Sequence, residues 1–139
     1  LLPRLGVRLC LLIGIFVWPV RFAIFSIGQP WELVVASLPL HGFGYVFFFV
    51  VGQIYSDMVS PRDARASVQS LWAVFVLGIG MIAGNQFAGW VKDHFTSGPV
   101  GQEVTVWQNV FLVPCVITIL CTLVFILSFR EPEKQQTPR

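Results

Sequence analysis

The sequence predicts an all-α integral membrane protein with four transmembrane helices, and three observations predict it. Mean hydropathy is +0.75 and only 12% of the 139 residues are charged, where a soluble domain carries about 25%. Apolar windows of about 20 residues, the length a helix needs to cross a bilayer core, recur at 9–28, 33–55, 68–91 and 110–129. Basic residues gather in alternate connections between those windows. The composition excludes a disordered chain, which needs low hydrophobicity and high charge. It also excludes a water-soluble enzyme domain, because there is too little polar surface to cover one. A net charge of +2 from nine basic and seven acidic residues, with no basic cluster, excludes a nucleic-acid partner.

Inside hydrocarbon the backbone must satisfy its own hydrogen bonds, so each window reads as a helix. The first follows Arg4 and Arg8, and Pro19 is expected to kink it by removing one backbone donor. A short Gln29-Pro30-Trp31-Glu32 turn leads into the second. Asp57, Pro61, Arg62, Asp63 and Arg65 form the next connection, where Ser60 reads as the N-cap of the third helix and Asp63 as its third residue. The longer 92–108 segment joins the third helix to the fourth, and a polar tail with two prolines fills 130–139. The chain begins Leu1-Leu2-Pro3 rather than with Met, shows no signal peptide, and is read as a piece of a longer polypeptide. Cys10, Cys115 and Cys121 each sit in an apolar run and read as small packing residues rather than disulfide halves.

Arg4, Arg8, Arg62, Arg65, Arg130, Lys134 and Arg139 all fall on one side of this arrangement, leaving Arg21 in a span and Lys92 opposite. The positive-inside rule makes that side cytoplasmic and puts both ends there. Trp31, Trp90 and Trp107 then fall at the outer interface, where indole rings prefer to sit. The 57–65 connection, with Arg62, Asp63 and Arg65, reads either as orientation and capping or as a gate of charge pairs.

Several residues stand out because the bilayer makes them costly. Arg21 lies at depth, and charge there is expensive unless it meets a partner or water. It reads either as a substrate or counter-ion contact, or as a snorkelling or structural charge. In the second window His41, Tyr45, Phe48, Phe49 and Gly52 recur at helical spacing, with Gln53 on the same stripe. Imidazole, phenol and aromatic planes on one face suit a flat polar aromatic ligand; the competing reading is a packing stripe. Gly80, Gly84 and Ala88 step by four residues along the third window, a small-residue face on which another helix can approach closely. Asn85 and Gln86 read as hydrogen-bonding across helices or, alternatively, as lining a cavity. No metal, nucleophile or phosphate-loop pattern is present, so neither an enzyme nor a cofactor is expected.

Several stretches together resemble the last four helices of a major facilitator superfamily transporter of the nucleoside:proton symporter branch. Phe16-Val17-Trp18-Pro19-Val20-Arg21-Phe22 is similar to that branch's Ala-Trp-x-x-Arg-Phe, and His41-Gly42 through Gly52 resembles its tenth helix. Arg65-Ala66-Ser67-Val68-Gln69 resembles the start of the eleventh, Gly84 through Trp90-Val91 with Asp93-His94-Phe95-Thr96 its end, and Trp107-Gln108-Asn109-Val110-Phe111 the start of the twelfth. The resemblance implies helices 9–12 of a twelve-helix fold, with a cavity between two six-helix halves opened alternately to each side. It implies a cell-membrane symporter whose partners are a nucleoside, protons, the bilayer and the N-terminal helices of the same protein. By motif position the resemblance implies that His41 and Tyr45 are substrate contacts; Phe49 and Arg21 join them as candidate site residues from the readings above. This chain departs from the pattern at Val46, where some relatives are acidic, and at Phe49 and Val51, which replace Asn and Ser. The alternatives are a transporter of another small polar solute such as a sugar, and a non-transporting four-span scaffold.

Overall fold

The computed structural model describes residues 2–129, so the tail expected at 130–139, with Arg130, Lys134 and Arg139, lies outside the described residues, as does the side chain of Arg4. The chain folds into four helices long and apolar enough to cross a membrane: α1 (Leu5–Ile27), α2 (Trp31–Val59), α3 (Arg65–His94) and α4 (Trp107–Ser128). Each runs about a turn or less beyond its apolar window at most ends, because the helical ladder continues into flanks such as Trp31-Glu32 and Lys92-Asp93-His94. A departure from the purely helical expectation is a minimal hairpin between α3 and α4, β1 (Thr96–Ser97) against β2 (Val104–Thr105).

α1 and α4 pack antiparallel in one register over their whole length. Arg8 Nη2 donates to the Ile126 carbonyl at 2.9 Å, Cys115 Sγ to the Pro19 carbonyl at 3.5 Å, and Ser26 Oγ to the Gln108 carbonyl at 2.9 Å. Each advance along α1 is matched by an equal retreat along α4. Buried Val7, Cys10, Leu11 and Val51 form the core, with Phe47, Phe48, Tyr55, Phe125 and Phe129 packed around it. All three thiols are free, Cys10 and Cys115 buried and Cys121 exposed.

Close approach in a bilayer depends on small residues, since lipid tails are as apolar as the helices and only van der Waals fit favours contact. Gly52 gives α3 its seat on α2: a Cβ there would lie 2.7 Å from Trp72 Cη2. Gln69 Nε2 strengthens that contact by donating to the Gln53 carbonyl at 2.9 Å. Beyond these residues α3 stands away from the bundle, with Val91 its one buried residue within Met81–His94.

α2 is irregular in two places, the first of them with a local cause. Pro39 has no N–H to donate, and around it the bonds tighten to three-residue steps, Leu40 N to Ser37 O at 3.1 Å and His41 N to Leu38 O at 3.0 Å. Tyr45–Val50 then widens into π-helical turns. A second π segment, Val74–Gly80, interrupts α3.

The capping expected of Ser60 does not occur. Ser60 is extended (φ −84°, ψ 140°), the conformation imposed on a residue preceding proline, and it ends α2 rather than starting α3. Its hydroxyl donates back to the Ser56 carbonyl. Pro61–Ala64 forms a separate turn, closed by Ala64 N to Pro61 O at 3.0 Å, and the helix begins at Arg65, leaving Asp63 outside it.

Candidate functional site

The polar residues at membrane depth converge between α1 and α2. Arg21 lies six residues before the end of α1 at Ile27, about 9 Å from that end at 1.5 Å per residue. Its Nη1 lies 3.0 Å from His41 Nδ1. The guanidinium also sits over the Phe25 ring at 5.0 Å and the Trp18 ring at 5.8 Å. Trp18 in turn meets the His41 ring edge-on, 5.3 Å between centroids at 88°. Trp18, Arg21 and Phe25 are three and four residues apart, so one face of α1 carries all of them. Gly44 lets the indole lie against α2: a Cβ there would be 3.3 Å from Trp18 Nε1.

Among the described residues no acidic side chain pairs with Arg21, and its Nε is buried without a hydrogen-bond partner. The aromatic faces offset part of the cost of holding that charge at depth, since a desolvated cation over a ring gains about 2 kcal/mol. Sequence reading singled out Arg21 and His41 but missed Trp18 and Phe25 as site residues. The signal was their helical spacing from Arg21.

One turn beyond His41, Tyr45 is 47% exposed and its ring lies 5.2 Å from that of Phe49, tilted by 32°. His41, Tyr45 and Phe49 therefore follow one another at four-residue steps as a strip on α2, with a ring contact between Tyr45 and Phe49. The strip ends there, which corrects the expected face. Phe48 turns into the core beside α1, and Gly52 is buried against Trp72. For Gly52 the π turns explain the break: the wider turns of Tyr45–Val50 shift the helical phase, so residues beyond Phe49 point elsewhere. Such π segments occur frequently at functional sites.

Gly80, Gly84 and Ala88 are all exposed, and at Gly84 an added Cβ would meet nothing within 4 Å. The small-residue face has no neighbour among the described residues. Asn85 and Gln86 beside it are likewise exposed and make no side-chain hydrogen bond among them. In the 57–65 connection Arg65 Nε lies 3.8 Å from Asp57 Oδ1, a half-exposed pair, while Arg62 and Asp63 are exposed and form no ion pair among the described residues. Exposed pairs of this kind contribute about 0–1 kcal/mol.

Two surface recesses form away from the strip. One is apolar, lined by Leu120, Cys121, Val124, Phe125, Ser128 and Phe129. The other is polar, beside the hairpin at Asp93, Thr96, Ser97, Gly98 and Glu103. Neither touches His41 or Tyr45, because the strip is one open wall rather than an enclosed cavity. Chemically the wall offers ring planes for stacking, a phenol and an imidazole; no group of three or more metal-ligating side chains occurs among the described residues.

A family model described as nucleoside H+ symporter matches residues 1–134. The chain is 27% identical over 140 residues to the xanthosine permease of Escherichia coli (strain K12), covering 96% of this chain and 32% of that protein. It is 28% identical over 133 residues to nucleoside permease NupG of the same organism, covering 93% of this chain and 31% of that one. A crystal structure of the nucleoside transporter NupG superposes with a TM-score of 0.82 at 27% identity, covering 94% of this chain and 32% of that chain. The chain thus spans about a third of the length of the curated relatives it matches.

Proposed function

The chain belongs to the nucleoside H+ symporter family, and from that premise we propose that the whole protein takes up nucleosides together with protons by alternating access. In this reading α1 to α4 are the ninth to twelfth helices of a twelve-helix major facilitator fold in the cell membrane, with both ends of the chain cytoplasmic. The N-terminal helices supply the wall opposite His41, Tyr45 and Phe49. The observation that carries the reading is that strip itself: polar groups on an aromatic plane, exposed at membrane depth, where such groups mark substrate pathways. A nucleobase stacks on the rings while its edge hydrogen-bonds to the phenol and imidazole.

The test is uptake by the full-length protein in proteoliposomes, with labelled adenosine and uridine and an imposed inward proton gradient. Accumulation that collapses with a protonophore is expected. Uptake of a pentose but neither nucleoside would move the assignment to another small polar solute. Nucleoside uptake indifferent to the gradient would remove the proton from the mechanism.

A further inference from the structure

We propose that Arg21 is a positioning residue that fixes the tautomer of His41, so that the imidazole offers the substrate a hydrogen-bond donor and not an acceptor. The inference rests on the reading of the α2 strip as a nucleoside wall, and it assigns the recognised atom: an acceptor on the base edge, either a carbonyl oxygen or an unprotonated ring nitrogen.

The tautomer follows from donor chemistry. A guanidinium has five N–H donors, no acceptor, and does not lose its proton in proteins. At 3.0 Å from Arg21 Nη1, His41 Nδ1 must therefore accept. A neutral imidazole accepting at Nδ1 carries its proton at Nε2. Two further contacts hold the arrangement. The Trp18 edge sets the plane of the imidazole at 88°, and the guanidinium is itself seated over Phe25 and Trp18. Nε2 makes no hydrogen bond among the described residues, and His41 is exposed, so the N–H is available to a ligand. The Tyr45 and Phe49 rings lie one and two turns further along the same strip. A base stacked there turns its edge towards His41. A donor fixed in this way discriminates strongly, because an analogue lacking the acceptor leaves the N–H unpaired at depth.

Two measurements on the full-length protein test the assignment. In the first, 15N-histidine is incorporated, the protein is placed in nanodiscs, and the His41 resonances are identified by their loss in His41→Gln. The expected spectrum has a non-protonated Nδ1 and a protonated Nε2 at His41. Arg21→Lys, which keeps a donor, should preserve it, and Arg21→Met should give mixed tautomers. In the second, adenosine uptake is competed with its 1-deaza, 3-deaza and 7-deaza analogues. At least one ring N→C–H replacement should weaken competition by about ten-fold in the wild type. Arg21→Met should shrink that discrimination several-fold. In His41→Gln the amide donates whatever Arg21 does, so adding Arg21→Met should leave discrimination unchanged.

A protonated Nδ1 in the wild type, or discrimination equally strong in Arg21→Met, overturns the inference and leaves nucleoside transport standing. The expected spectrum together with no uptake of any nucleoside overturns the functional reading instead, and with it the assigned substrate atom. If Arg21→Met fails to fold, the wild-type and Arg21→Lys spectra still decide the tautomer.

Discussion

Gly14 of α1 lies directly against the backbone of Phe48 in α2: a Cβ at Gly14 would fall 2.5 Å from the Phe48 amide nitrogen and 2.7 Å from the Phe47 carbonyl carbon. The contact falls on the π segment Tyr45–Val50. It fixes the spacing of α1 and α2 a little more than one turn from where Trp18 meets Gly44 and about two turns from where Arg21 meets His41. Gly14→Val should therefore push the helices apart and weaken the Arg21–His41 contact. Overpacking of this kind costs about 1–3 kcal/mol, so a clear fall in the thermal stability of the full-length protein is expected. An unchanged melting temperature in detergent would mean that the helices do not approach this closely.

That contact also shows where sequence reading stops. Apolar windows of about 20 residues announce the helices without any knowledge of packing, and Arg21, His41 and Tyr45 announce themselves by their cost at depth. Which residues meet depends on helix rotation, and a 3.6-residue period carries that only as far as the helix stays regular. Pro39 and the π turns at Tyr45–Val50 both alter the phase of α2. His41, Tyr45 and Phe49 therefore stay together while Gly52 leaves them for Trp72. Nothing local in Tyr45-Val46-Phe47-Phe48-Phe49-Val50 marks a π turn. Ser60 failed as a cap for a different reason: Pro61 controls its backbone before its hydroxyl can act.

The exposed small-residue face of α3 makes a separate prediction. An added Cβ at Gly84 meets nothing within 4 Å, so Gly84→Leu has no clash to make inside this chain. If that face receives one of the N-terminal helices, the substitution should still lower the amount of folded full-length protein in the membrane, by an overpacking cost of about 1–3 kcal/mol. Normal abundance and thermal stability would mean that Gly80, Gly84 and Ala88 face lipid.

Orientation is tested by single-cysteine labelling in a cysteine-free background. Ser97, on β1, and Ser60, where α2 ends, lie at opposite ends of α3. From the distribution of Arg8, Arg62 and Arg65 against Lys92, the positive-inside rule predicts that Ser60 is cytoplasmic. A membrane-impermeant maleimide added to intact cells should label Ser97→Cys and leave Ser60→Cys unmodified until the cells are opened. Labelling of Ser60→Cys from outside would invert the assigned orientation.

Tyr45 offers the most direct test of the wall. Its ring is 47% exposed and pairs with Phe49 at 5.2 Å, so truncation removes little packing within the chain and a whole surface of the strip. Stacking of a base on a protein aromatic is worth about 1–3 kcal/mol. Tyr45→Ala should then lower nucleoside uptake at low substrate by roughly ten-fold or more, with the protein still present in the membrane. Tyr45→Phe separates the two contributions of the side chain: it keeps the plane and loses the hydroxyl, so it should retain most of the uptake if stacking dominates. If Tyr45 instead packs against the N-terminal half, Tyr45→Ala should reduce abundance while transport per folded molecule persists. Uptake normalised to folded protein decides between the two, and a wild-type value in Tyr45→Ala removes this face from the substrate path.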